Sequence, residues 1–226
     1  MHAALPGADG MSTHVVRASV EEAARAALSG ARCATTCEYL ARVCELLLPT
    51  PKQVAALHKT QNWLQQRVRS HVRQYFVECI RDGKPCIAEW VLAARDARCA
   101  RGMSLDDAIQ ESAEECFSVH FFGSSMYDLS PRVTDYDMVV VVHESMRHGI
   151  EPVRLLKDLS RVVRRAGRAG RLILVKRARV PVLEAMLYAP DRSAHQVDII
   201  ASNWFGVHNT AMLRFYMQLD ARVRAR

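Results

Sequence analysis

An α+β fold is predicted, with a helical N-terminal region over residues 19–116 leading into a small mixed sheet with flanking helices over residues 117–226. Three observations predict it. Thr50-Pro51-Lys52-Gln53 is an explicit helix start, and Asp82-Gly83-Lys84-Pro85 an explicit stop. From residue 117 the pattern changes from helical spacing to short apolar runs. One of these, Met138-Val139-Val140-Val141-Val142, is a continuous buried-strand signal directly behind Asp135-Tyr136-Asp137.

Residues 1–18 are small, polar and broken by Pro6, Gly7 and Gly10, the composition of a disordered segment. Residues 19–48 are rich in Ala and Leu and read as one or two helices. Thr50 can then cap a helix, Pro51 fits its first position and Gln53 completes a capping box. That helix should run to about Arg81 and bury Leu57, Leu64, Val68, Val72, Tyr75 and Phe76. A helix follows at 86–99, and Ser104 opens another through Cys116. Strands are predicted at 117–122 and 136–143. Pro152 begins an amphipathic helix with Val153, Leu156, Leu159 and Val163 facing inward, and Gly167 and Gly170 end it. Arg154, Lys157, Arg161, Arg164 and Arg168 fall largely on its other faces. Strands at 171–176, 179–188 and 195–201 precede a last helix beginning near Val207.

Composition narrows the classes. At 226 residues the chain is long enough for one large domain with an ordinary core. No apolar stretch approaches the roughly 18–20 residues a bilayer crossing needs, so no membrane association is expected. Seven cysteines without a secretory signal point to reduced thiols in an intracellular protein. The cytoplasm is favoured, with the mitochondrion as the alternative. Arg17, Arg25 and Arg32 among alanines resemble a presequence, while Asp9, Glu21 and Glu22 do not. Charge is uneven: residues 151–226 hold 15 Lys/Arg against 6 Asp/Glu, residues 1–150 hold 16 against 18. A basic half beside an acidic motif suits a protein that handles a polyanion.

The chemistry concentrates at a few positions. Because strands alternate faces, Asp135 and Asp137 should project from the same side of the strand they open. Two neighbouring carboxylates repel each other unless a cation neutralises them, and hard oxygen donors suit Mg²⁺. Gly123-Ser124-Ser125, at the end of an earlier strand, could bring backbone N–H groups close to a phosphate. Together these point to metal-assisted phosphoryl transfer. Asp198 lies in the apolar strand Gln196-Val197-Asp198-Ile199-Ile200, where an ionised group is costly unless it is paired, capped or metal-bound. Lone His120 and His195 read as surface or hydrogen-bonded core groups. Trp63, Trp90 and Trp204 read as packing residues, Trp204 being worth testing because it precedes the last helix.

Gly-Ser, then Asp-x-Asp before a valine-rich strand, then a later strand Asp resembles the DNA polymerase β-like nucleotidyltransferase superfamily. Gly206-Val207-His208-Asn209-Thr210 through Tyr216, with Asp220-Ala221-Arg222 behind it, narrows the resemblance to the non-canonical poly(A) polymerase and RNA terminal uridylyltransferase family. It covers roughly residues 45–80 and 117–226. It implies a polymerase β-like core in which Gly123, Ser124 and Ser125 face the triphosphate. Asp135, Asp137 and Asp198 would hold Mg²⁺, or Mn²⁺ in its place, and Asn209 and Thr210 would contact the ribose. The implied reaction adds UMP from UTP to an RNA 3′ end and releases pyrophosphate. The alternatives are a poly(A) polymerase using ATP, or a catalytically silent module that binds RNA or protein. Asp128 departs from the glycine the family usually has after Gly-Ser. Residues 82–116 are longer than the usual connection. The family's second, helical domain is expected to be missing from this sequence, so that domain or a protein partner would complete the cleft.

Overall fold

The computed structural model describes Glu38 and residues 50–123, 126, 135–167, 169–202 and 204–219. Glu38 apart, the expectations for residues 1–18 and 19–48, and those for Ser124, Ser125, Asp128, Arg168 and Asp220-Ala221-Arg222, lie outside the described residues.

Helix α1 spans Pro51–Arg81, about 46 Å at 1.5 Å per residue. Its capping box is complete: Thr50 Oγ1 accepts from the Gln53 N–H at 3.3 Å, and the Thr50 N–H donates to Gln53 Oε1 at 2.7 Å. Leu64, Val68, Val72, Tyr75 and Phe76 are buried as predicted, with Leu57 partly so. Helices α2 (Glu89–Ala100) and α3 (Leu105–Glu114) fill the long connection. Ser104 caps α3 by accepting from the Asp107 N–H at 3.2 Å. Arg98 joins the two helices, reaching Glu111 at 3.1 Å, Ser112 Oγ at 3.1 Å and the Glu115 carboxylate.

The sheet has five strands: β1 (Phe117–Phe122), β2 (Asp135–Val142), β3 (Ala169–Val175), β4 (Val182–Tyr188) and β5 (Ala194–Ala201). Their spatial order is β1-β2-β5-β4-β3. Only β2 and β5 pair in parallel; the other neighbours are antiparallel. A parallel pair needs a long crossover, and helix α4 (Pro152–Arg165) with the β3–β4 hairpin supplies it.

The two sheet faces have different fates. Tyr136, Met138, Val140 and Val142 of β2 join Val197 and Ile199 of β5 and Leu183 and Ala185 of β4 in the main core. That core is shared with α1 and α4, whose buried residues belong to the same cluster. On α4 the buried positions are Leu155, Leu156, Leu159, Val162 and Val163, whereas Val153 is only half-buried. The inward arc is thus rotated from the one the spacing predicts, because α4 meets both α1 and the sheet. On the opposite face Val139, Val141 and Ile200 form a smaller cluster beneath Trp204 and Val207. These two residues belong to helix α5 (Trp204–Leu219), which starts three residues before its predicted start. Phe205, Phe215, Tyr216, Met212 and Leu213 of α5 stay exposed. Among the described residues no helix is long and apolar enough to cross a membrane.

Candidate active site

The covering of β2 by α5 stops short of its first residues, and that is where the carboxylates lie. Asp135 and Asp137 alternate with buried Tyr136 and Met138, so both project onto the α5 side of the sheet. The parallel register sets Asp137 directly beside Asp198. Antiparallel pairing of β4 then sets Glu184 beside Asp198, and Phe122 of β1 flanks Asp137 on the other side. One row across four strands therefore reads Phe122, Asp137, Asp198, Glu184. Like charges directly opposite on neighbouring strands destabilise a sheet.

The electrostatics record that cost. Burial, then Asp198, then Asp135 push the Asp137 carboxyl up to about 6. Asp198 is also raised, by burial first, then by Glu184 and Asp135, against a lowering contribution from Gln196. Its Oδ1 is fully buried and accepts no hydrogen bond among the described residues. An orphaned buried carboxylate oxygen among hard oxygen donors fits a divalent cation of the Mg²⁺ type. As the side chains stand, no three or more His, Cys, Asp or Glu among the described residues close on a single point. Repulsion between the carboxylates gives a physical reason for that spread.

Gly123 closes the other wall. Its φ of +75° is left-handed, and a Cβ there would lie 2.3 Å from Asp137 Oδ2. Only glycine allows the turn to approach the carboxylate this closely. Its N–H donates to Thr210 Oγ1 at 2.9 Å, and the Thr210 hydroxyl donates to the Gly206 carbonyl at 2.7 Å. Gly206 in turn lies against Phe122, whose ring a Cβ would meet at 2.7 Å. The strand end and α5 are therefore locked together by two glycines and one threonine. Thr210 is buried, with its hydroxyl committed to this lock, whereas Asn209 beside it is exposed. Because α5 begins at Trp204, both lie in its second turn rather than at its start.

The remaining sequence candidates sit around this core. Trp204 packs on the Val139 cluster, with its ring centroid 5.3 Å from that of His120. His120 and His195 bond to Ser118 and Ser193 hydroxyls at 2.8 Å and 2.9 Å. Burial lowers both histidines. Trp90 Nε1 donates to Ser145 Oγ at 2.8 Å. Glu184 escaped the sequence reading. A signal existed in the alternation of Val182, Glu184 and Met186 with buried Leu183, Ala185 and Leu187. That it lies opposite Asp198 followed only from strand register.

The chain and its fold have known counterparts. A family model for the central palm domain of mitochondrial-like poly(A) RNA polymerases matches residues 94–218. The chain belongs to this palm-domain family. The match begins inside α2, so part of the long connection before β1 belongs to it. Human terminal uridylyltransferase 7 is 26% identical over 152 residues, 67% of this chain and 10% of that protein. The palm chain thus spans about a tenth of this relative's length. Among solved structures, the non-canonical poly(A) polymerase complex GLD-2–GLD-3 aligns with a TM-score of 0.52 at 17% identity, covering 79% of this chain and 43% of that one. The Cid1 poly(U) polymerase aligns with a TM-score of 0.50 at 16% identity, covering 83% and 42%. Five strands in a mixed sheet with flanking helices are the polymerase β-like nucleotidyltransferase fold.

Proposed function

We propose that this palm domain catalyses nucleotidyl transfer to RNA 3′ ends, adding UMP from UTP and releasing pyrophosphate. The reading is carried by the carboxylate row: Asp137 beside Asp198 in register, Asp135 on the same face, and an orphaned Asp198 Oδ1. Asp135, Asp137 and Asp198 would hold the divalent cations, Mg²⁺ or Mn²⁺. When bound, these lower the pKa of the attacking 3′-hydroxyl and neutralise the leaving pyrophosphate. Gly123 keeps the space beside Asp137 free of side-chain atoms, so that the triphosphate can approach the turn at Gly123, with Ser124 and Ser125 as its proposed ligands. Thr210 positions that turn through the Gly123 N–H, and exposed Asn209 faces the ribose.

UTP is preferred because of the likeness to a terminal uridylyltransferase, while the family description supports ATP as the alternative. A helical domain or partner protein covers the exposed apolar side chains of α5 and completes the cleft. The test is incubation of the protein with labelled RNA, Mg²⁺ and each nucleoside triphosphate separately. Extension with UTP, abolished in Asp137→Asn and Asp198→Asn, is the expected result. Extension with ATP alone would overturn the base assignment. RNA retention without pyrophosphate release in any mixture would overturn the catalytic reading.

A further inference from the structure

The face of the sheet covered by α1 and α4, hereafter its helical face, carries a second charged feature. Between α1 and α4 lies a cavity of about 540 Å³ whose lining includes six Lys or Arg against three Asp or Glu. Two arginines are already engaged, Arg165 with Glu78 at 2.8 Å and Arg161 with Asp158 at 2.6 Å. Arg154, Lys157 and Lys176 have no carboxylate within ion-pair distance among the described residues. Arg154, Lys157, Arg161 and Arg165 follow helical spacing along one stripe of α4. Four cations on one stripe repel each other, and the nearby carboxylates offset only part of that repulsion.

The positive surface does not end at the cavity. Lys176 leaves the C-terminal end of β3, one of the two edge strands, and Arg177 and Arg179 follow it, exposed, in the β3–β4 turn. Basic residues at a sheet edge commonly serve to block strand pairing. That role cannot account for Arg154 and Lys157, which sit on a helix. The basic surface therefore runs from the α1–α4 cavity around the open edge of the sheet. Glu184, at the end of the carboxylate row, is one strand in from that edge and on the other face.

We propose that this surface binds the phosphate backbone of RNA upstream of the 3′ end, holding the strand against the helical face while its terminus reaches the carboxylates. The choice of RNA as the polyanion rests on the function proposed above. The backbone carries one charge per nucleotide, so a line of unpaired cations grips it without regard to sequence.

The test is fluorescence anisotropy with a labelled single-stranded RNA of about 20 nucleotides, in EDTA so that no turnover is needed. The triple variant Arg154→Glu, Lys157→Glu, Lys176→Glu should lose affinity on the order of tenfold. Its log–log salt slope should be shallower by about 2, the value for three lost contacts on single-stranded nucleic acid. A control triple, Lys52→Glu, Lys59→Glu, Arg101→Glu, changes the net charge equally at exposed sites elsewhere and should lose far less. All six positions are exposed, and thermal melts confirm folding of each protein. Equal loss in both triples, or loss under twofold in the first, overturns the proposal. A wild type that binds RNA here but extends it with no nucleotide defeats the catalytic reading and leaves this comparison decisive.

Discussion

Replacing Gly123 by alanine probes two physical effects that the structure allows to be separated. The first is conformational. At φ +75° a Cβ costs about 1–2 kcal/mol relative to an ordinary backbone position. For a chain of this size that corresponds to a melting temperature lower by about 2–8 °C. The second is steric and local. The new Cβ would lie 2.3 Å from Asp137 Oδ2, so one of the two must retreat by about 1 Å to reach ordinary contact. Asp137 is the movable partner, since the Gly123 N–H is tied to Thr210. A displacement of that size at a reacting centre costs on the order of 100-fold in rate. Gly83 supplies the control: its φ is +60° and nothing lies within 4 Å of a Cβ built on it. Gly83→Ala should show the conformational loss alone. The assay is single-turnover extension of labelled RNA at saturating UTP, beside thermal melts of both variants. Gly123→Ala should lose about 100-fold in rate and Gly83→Ala less than about threefold, with similar stability losses. If Gly123→Ala keeps its rate within about threefold while losing stability, close approach to Asp137 is not what requires the glycine.

Thr210→Val leaves the Gly123 N–H unpaired and should cost about 1–3 kcal/mol in denaturant melts, with Thr210→Ser recovering most of it; equal stability of the two would remove the lock from the argument. Glu184→Gln removes a charge that raises Asp198, so the Asp198 carboxyl should titrate lower in ¹³C NMR of the metal-free protein. An unchanged titration would mean that the register contact carries no electrostatic weight. Asp137 titrates near 6 folded against 3.8 as a free side chain, so the folded state binds the extra proton between those values. Its stabilising contribution is complete below about pH 4 and fades as pH rises through about 6. The metal-free wild type should therefore lose stability over that window relative to Asp137→Asn, and saturating Mg²⁺ should oppose the loss by favouring the ionised carboxylate. A difference that stays flat with pH would refute the assigned shift.

Local signals explain why so much of the secondary structure was legible. The capping box at Thr50, the stop at Asp82-Gly83 and the β2 valine run each involve neighbours within a few residues, and each element formed within one residue of its predicted place. The inward arc of α4 was misplaced because its burial depends on two partners, α1 and the sheet, whose relative direction no helical period encodes. The start of α5 was placed three residues late for a related reason. Trp204 enters the helix while packing on Val139 and Val141, a contact more than sixty residues away in sequence. Glu184 was missed as a site residue because its significance lies in its opposite number on β5.

The sequence by itself determined the chemistry on offer. Asp135 and Asp137 share a face by strand alternation alone, and Gly123, lacking a Cβ, leaves its backbone open to close approach. Local backbone geometry suffices for both conclusions, since each concerns residues whose spacing is fixed by covalent structure. Tertiary structure decided how those groups meet. The parallel register of β2 and β5 brought Asp198 beside Asp137, and the β4 register extended the row to Glu184. The packing of α5 turned Thr210 inward to Gly123 and left Asn209 in solvent. Register and helix docking are set by which apolar faces can be buried together, and that balance belongs to the whole chain rather than to any segment of it.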